Sequence, residues 1–187
     1  MNNIHDAVKQ KKYILIRHYY KDINRRDNNG KYPLYYAIQS QDYTLVKFLL
    51  KIGADPNRRN HNGVTIFMET LFYEDLSIIK LCFEKVKNIN AVDINSYSGL
   101  HYSVLYNNVE AFHFLCYNKI NVNIPSKDGV TALHMAAYFN HSLLIYILYK
   151  YNVNKHCVDK NNKKPIQYVP NNNDVESTIT RLLIEHH

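Results

Sequence analysis

Three cysteines among 187 residues, Cys82, Cys116 and Cys157, are too few and too irregularly spaced to form a disulfide framework. Their odd number points to a reducing compartment, with the thiols serving as small buried hydrophobes. No apolar run approaches the roughly 18 to 20 residues needed to span a bilayer. The opening stretch MNNIHDAVKQKKYILIRHYY holds only a short apolar patch, interrupted by Arg17 and His18, the pattern of neither a secretory signal nor an anchor. Together these absences place the chain in cytosol or nucleus as an expectation. Also missing are a phosphate loop, a nucleophile elbow, an HExxH helix and a paired-carboxylate motif, so catalysis is not expected. Ten histidines invite a metal reading. Yet His113 and Cys116, spaced i, i+3, have no second ligand pair with zinc-site spacing, so neither a metal nor another cofactor is expected.

Positive charge is present in excess, and it is local. Lys and Arg outnumber Asp and Glu by 23 to 16, a formal net charge of +7. Residues 1–60 hold twelve basic and five acidic side chains, whereas residues 61–187 hold eleven of each. Such asymmetry steers an acidic partner toward the N-terminal end. A pI of 9.2 raises nucleic acid as a partner. No groove-reading helix motif or zinc knuckle accompanies it and half the chain is neutral, so nucleic acid is not the expected ligand.

Self-comparison gives the organisation. Asp27, Asn60, Asp93, Ser126 and Asp159 follow one another at intervals of 33 residues. In that frame Leu34, Phe67, Leu100, Leu133 and Ile166 share a position. So do Val46, Ile79, Phe112 and Ile145, and likewise Leu49, Cys82, Leu115 and Leu148. Asn24, Asn57, Asn90 and Asn123 align too, with His156 next in the series. Each period opens on turn residues, DNNG, NHNG or KDG. A short helix follows, with a small residue three positions after the core Leu or Phe: Ala37, Thr70, Ser103, Ala136. That lets neighbouring first helices approach closely. A second segment, such as TLVKFLL or DLSIIKLCF, has apolar residues at helical spacing.

The segments DGVTALHMAA (Asp128–Ala137) and LVKFLLKIGADPN (Leu45–Asn57) resemble the ankyrin repeat, with its 33-residue period and T-P-L-H-x-A signature. YPLYYA, SGLHYS and KPIQYV are weaker versions of the first. The resemblance covers nearly the whole chain. It implies an all-α solenoid of helix-turn-helix pairs with projecting hairpin fingers. The reading is a single domain: a cap at 1–26, four repeats at 27–59, 60–92, 93–125 and 126–158, and a cap at 159–187. Three departures carry expectations. The glycine ending the second helix survives only as Gly53, with Val86, Lys119 and Asn152 in its place, so the loop after repeat two is expected to differ. Ser96 replaces a turn glycine. Pro170 falls inside the last first helix and should shorten it, with one extra residue before a final helix near 175–184. The closing EHH resembles part of an expression tag.

Ankyrin arrays bind through hairpin tips and the exposed side of their first helices. Carried over, this places Phe72/Tyr73, Leu105/Tyr106 and Tyr138/Phe139 at the centre of a concave face. The equivalent pairs at the ends are polar, Gln39/Ser40 and Asn171/Asn172. An apolar centre with polar margins is an interface layout, and aromatic residues are favoured anchors. At the tips, Arg25/Arg26 and Arg58/Arg59 coincide after one period and are candidates for acidic groups. The expected function is non-enzymatic binding of a protein partner. The degenerate, Asn- and Tyr-rich repeats, with LYYAI at Leu34–Ile38, look like the short ankyrin proteins of A/T-rich poxviruses. This implies a host-range or immune-modulating factor in the host cytoplasm. A ubiquitin-ligase adaptor and a bacterial ankyrin effector are the alternatives.

Overall fold

Short polar residues set where the helices begin. In the computed structural model, which describes residues 3–171 and 174–186, Asp42, Asp75, Asn108 and Asp174 each accept a backbone N–H from the first turn of a second helix. Such caps satisfy donors that a helix start leaves orphaned. Asn172 and the side chains of His186 and His187 lie outside the described residues.

The chain divides into two compact units, residues 1–88 and 89–187. The first holds α1 (Ile4–Lys9), α2 (Tyr13–His18), a 3-10 turn (Tyr20–Asp22), α3 (Pro33–Gln39), α4 (Tyr43–Lys51), α5 (Ile66–Thr70) and α6 (Leu76–Phe83). The second holds α7 (Gly99–Leu105), α8 (Val109–Tyr117), α9 (Ala132–Tyr138), α10 (Ser142–Lys150), a 3-10 helix (Pro165–Tyr168) and α11 (Val175–His186). In the first unit α3 packs between α1 and α5, and α4 packs on α6. In the second, α9 packs between α7 and the 3-10 helix, and α10 between α8 and α11. Among the described residues there is no strand. The fingers are tight turns, with isolated bridges at Arg59–Thr65 and Val92–Ser98.

The repeating columns form the core. Val46, Ile79, Phe112 and Ile145 are fully buried, as are Leu49, Cys82, Leu115 and Leu148. Ala37, Thr70, Ser103 and Ala136 are equally inaccessible. The two hydroxyls in that column donate to carbonyls one turn back, Thr70 to Phe67 and Ser103 to Leu100, so no buried donor is left unmet there. Burial alone pushes the Cys82 and Cys116 thiols up to about 12. His113 is exposed and lies edge-on to Tyr151, so the His113/Cys116 pair splits between surface and core.

The aligned asparagines are clips. The Asn24 amide donates to the Gly53 carbonyl and accepts from the Asp55 N–H, both at 2.9 Å. Asn57 repeats this on Lys85 and Lys87 (2.8 and 2.9 Å). Asn90 accepts from Asn121, and Asn123 accepts from Asn154. Each clip joins one turn to the next within its unit.

The irregular positions have conformational reasons. Gly53, Lys119 and Asn152 all adopt positive φ after their helices, at 105°, 63° and 56°. Val86 is not among the positive-φ residues. Its N–H bonds the Phe83 carbonyl as the Gly53, Lys119 and Asn152 N–H groups bond theirs. The next N–H, of Lys87, goes to Asn57, whereas those of Ala54 and Ile120 return to Leu49 and Leu115 of their helices. The loop after repeat two does depart, in keeping with the cost of a positive φ for a β-branched residue. Ser96 and Asn162 take the left-handed turn that Gly30, Gly63 and Gly129 take elsewhere. Gly129 has a further constraint: a Cβ there would lie 2.9 Å from the Asp159 backbone. The last first helix is reduced to the 3-10 helix ending before Pro170. The extra residue expected before the final helix is corrected: the Asp174 cap stands 33 positions after the His141 cap, and α11 starts in phase.

Candidate interaction face

Two histidines fix the floor of the second unit. The backbone N–H of Ser98 donates to His101 Nδ1 at 3.1 Å, so that nitrogen is an acceptor and the proton sits on Nε2. Nε2 then donates to the Val130 carbonyl, also at 3.1 Å. His134 repeats the arrangement between the Thr131 N–H and the Lys163 carbonyl. Burial lowers the pKa of His101 to about 4 and that of His134 in the same direction, so both rings are neutral. Each ties its own helix start to the following hairpin and has no polar atom left for a ligand.

Tyrosines anchored at their hydroxyls form the walls. Tyr102 donates to Asp93 at 2.7 Å, and Tyr168 donates to Asp159. Tyr36 in the first unit does the same to Asp27, at 2.5 Å. The Tyr168 hydrogen bond and two backbone N–H groups hold the Asp159 carboxyl down to about 2. Asp and Tyr occur together nine residues apart wherever this clamp forms. Repeat two has Asn60 with Glu69 instead, joined at 3.2 Å, and repeat four has Ser126 with Met135. Met135 therefore stands where its neighbours carry an anchored Tyr.

The consequence is an open apolar groove of about 280 Å³ between Tyr102 and Tyr168, lined by Met135 and the two histidines and flanked by Leu105, Tyr138 and Phe139. Tyr138 packs edge-on to Phe139 at 5.1 Å and to Tyr168 at 6.5 Å. Phe139 stacks on His141.

The residues expected at the centre of the face fall as follows. In the second unit, Leu105, Tyr138 and Phe139 meet in the groove, at 49%, 61% and 39% exposure. Tyr106 is exposed and stacks against Tyr102. In the first unit, Phe72 is exposed and Tyr73 half-buried, the rings edge-to-face at 5.0 Å. Gln39, Ser40 and Asn171 are exposed. The arginine tips are exposed but engaged. Arg25 lies 3.7 Å from Asp22, and Arg58 3.8 Å from Asp55. Arg26 donates to the Tyr32 hydroxyl and the Arg59 carbonyl, and Arg59 to the Gly63 carbonyl, so this pair fastens hairpins of the first unit. Sequence reading missed Tyr97, Tyr102, Met135 and Tyr168. The recurring Asp–Tyr pair, and its loss in repeat four, was the available signal.

Among the described residues no three His, Cys, Asp or Glu side chains gather as a metal site requires, and no helix is long and apolar enough to cross a membrane.

The family model for ankyrin repeats (3 copies) matches residues 2–60 and 67–159. The chain belongs to the ankyrin-repeat family. No curated protein matches it. Among solved structures, it is similar to a crystal structure of an ankyrin repeat domain from Acinetobacter baumannii. The TM-score is 0.82 at 21% identity, over 97% of this chain and 95% of that one. At that identity the likeness establishes the all-α ankyrin fold. Ankyrin repeats are protein-interaction modules, and this gives the coarse function of the chain.

Proposed function

We propose that this ankyrin-repeat chain acts by binding a protein partner through the exposed side of its first helices, without catalysing a reaction. Leu105, Tyr106, Tyr138 and Phe139 of the second unit are the principal anchors, with Phe72 and Tyr73 of the first unit contributing. The observation that carries this reading is the exposure of large apolar side chains on that side of α7 and α9, beside an open apolar groove. Monomeric proteins rarely leave such contiguous surface uncovered without a use for it. We further propose that the partner is a host-cell protein of antiviral or inflammatory signalling, in the cytoplasm. The resemblance of the repeats to short poxvirus ankyrin proteins supports this finer reading.

The test is affinity capture from host-cell extract with the wild type, a Phe72→Ala/Tyr106→Ala variant and a Leu105→Ala/Tyr138→Ala variant. Each double variant is expected to lose partner affinity by about tenfold or more. Helical content and melting temperature should stay close to wild type, since exposed truncations change stability by roughly 0.5 kcal/mol or less. Partner retention by both variants would overturn the reading.

A second reading, an adaptor bridging two proteins, has its own observation. Val175, Ile179 and Leu182 form an exposed i, i+4, i+7 stripe on α11, while that helix buries Ser177 and Thr180. Capture of two partners, of which the groove variant loses one, would favour the adaptor. A ubiquitin ligase as the second partner belongs to this reading.

A further inference from the structure

The groove of the second unit has rigid walls and a soft floor. Tyr102 and Tyr168 are held at both ends, their rings by packing and their hydroxyls by Asp93 and Asp159. Between them Met135, unbranched and polarizable, conforms to whatever is pressed against it. The His101 and His134 Nε2 protons are committed to backbone carbonyls, so the floor offers no hydrogen bond to a polar side chain. A volume of about 280 Å³ suits one large side chain and its backbone.

Charge around the opening selects what flanks that side chain. Asp93 and Asp159 are buried, their carboxylates filled by Tyr hydroxyls and hairpin N–H groups. Asp128 is neutralised by Lys160 at 2.7 Å. Lys163 is different: it is exposed, its carbonyl holds His134, and its ammonium lies 5.6 Å from the Tyr168 ring centroid. Lys127, three residues before the groove-lining Val130, is also exposed. Among the described residues neither lysine has a carboxylate partner. The charge exposed to a partner beside the groove is therefore basic, with the Asp93 and Asp159 carboxylates buried behind the tyrosine hydroxyls, and the interior is apolar. A cationic side chain would meet the lysines and find the Tyr168 ring already covered by one.

We infer that this groove takes a single bulky apolar side chain, aromatic or leucine-like, from a partner segment with acidic residues on either side of it. The inference rests on the protein-binding reading above and names the chemistry of what is bound.

Methionine supplies the readout. The chain has three methionines, and Met68 is fully buried outside the groove while Met135 lines it. With the full chain carrying 13C-methyl methionine, and Met135→Leu assigning the signal, blocked peptides are titrated in. One has a central phenylalanine between two pairs of glutamates. Its controls replace the phenylalanine by alanine or by lysine, or the glutamates by lysines. The glutamate–phenylalanine peptide is expected to shift the Met135 methyl saturably and leave Met68 still. Its affinity should exceed that of the lysine-flanked peptide by about fivefold at low salt. A Lys127→Glu/Lys163→Glu variant, altered only at exposed positions, should reverse that preference.

No saturable Met135 shift, an equal shift from the alanine or lysine-centred peptide, or indifference to flanking charge would each overturn the inference. Those outcomes leave the broader reading intact if the groove variants still lose their captured partner. Retention of the partner by those variants defeats the broader reading whatever the peptides do.

Discussion

His101 holds two segments together only while its ring is neutral. Nδ1 must accept from Ser98 as Nε2 donates to Val130, and an added proton on Nδ1 would face an N–H. Burial lowers its pKa from 6.5 to about 4, with the Val130 carbonyl and the Asp93 charge opposing. Between those values the unfolded chain binds a proton that the folded chain refuses. Stability from this residue is therefore complete above about pH 6.5 and is lost as pH falls toward 4. The gap corresponds to roughly 3 kcal/mol at full expression. Thermal melts should show a falling midpoint from pH 7 to pH 5, with a shallower slope in a His101→Gln variant. An identical slope in that variant would remove His101 as the cause. The capping serine and the histidine three positions on both stand in SGLHYS, whereas the carbonyl receiving Nε2 comes from the next repeat and was not visible there.

At the level of the element, the ends of the second helices follow the residue that local geometry tolerates. Lys119 sits at φ 63°, a left-handed conformation that is costly for a side chain with a Cβ. Val86 occupies the same column and makes the same backbone hydrogen bond three residues back, but without a positive φ. Lys119→Gly should therefore stabilise the chain, by about 0.5–1 kcal/mol in urea unfolding. Val86→Gly relieves no strain and frees the unfolded chain, so it should destabilise by a similar amount. Stabilisation by both substitutions would show that Val86 carries strain after all. The departure of this loop was legible in advance, since a β-branched residue is a poor occupant of positive φ. How the chain then continues, with the Lys87 N–H passing to Asn57, required the coordinates.

For the molecule as a whole, charge and apolar surface act at different stages of association. Twelve basic against five acidic residues in 1–60 provide a long-range field. The arginines at the tips, already engaged with their own hairpins, add to that field more than to contacts. With an acidic partner, raising ionic strength from about 0.05 to 0.5 M should slow association by about tenfold or more and change dissociation much less. Stopped-flow association measures this, and a salt-independent on-rate would assign the excess charge to solubility alone. The groove, in contrast, should govern the dissociation rate, because desolvated apolar anchors are lost only on separation.

A 33-residue period and recurring apolar columns gave a stack of like repeats, because solenoid repeats face neighbours of the same kind and periodicity encodes which side is buried. The resemblance of DGVTALHMAA and LVKFLLKIGADPN to the ankyrin repeat implied the all-α ankyrin fold. The ankyrin resemblance, not the period, implied which side chains of the first helices face outward. It did not give the groove. That depends on Met135 standing between two tyrosines from neighbouring repeats, each fixed by an aspartate nine residues earlier in the chain. A cavity is a relation among side chains distant in sequence, and only the packing of α7, α9 and the last 3-10 helix brought them to one place.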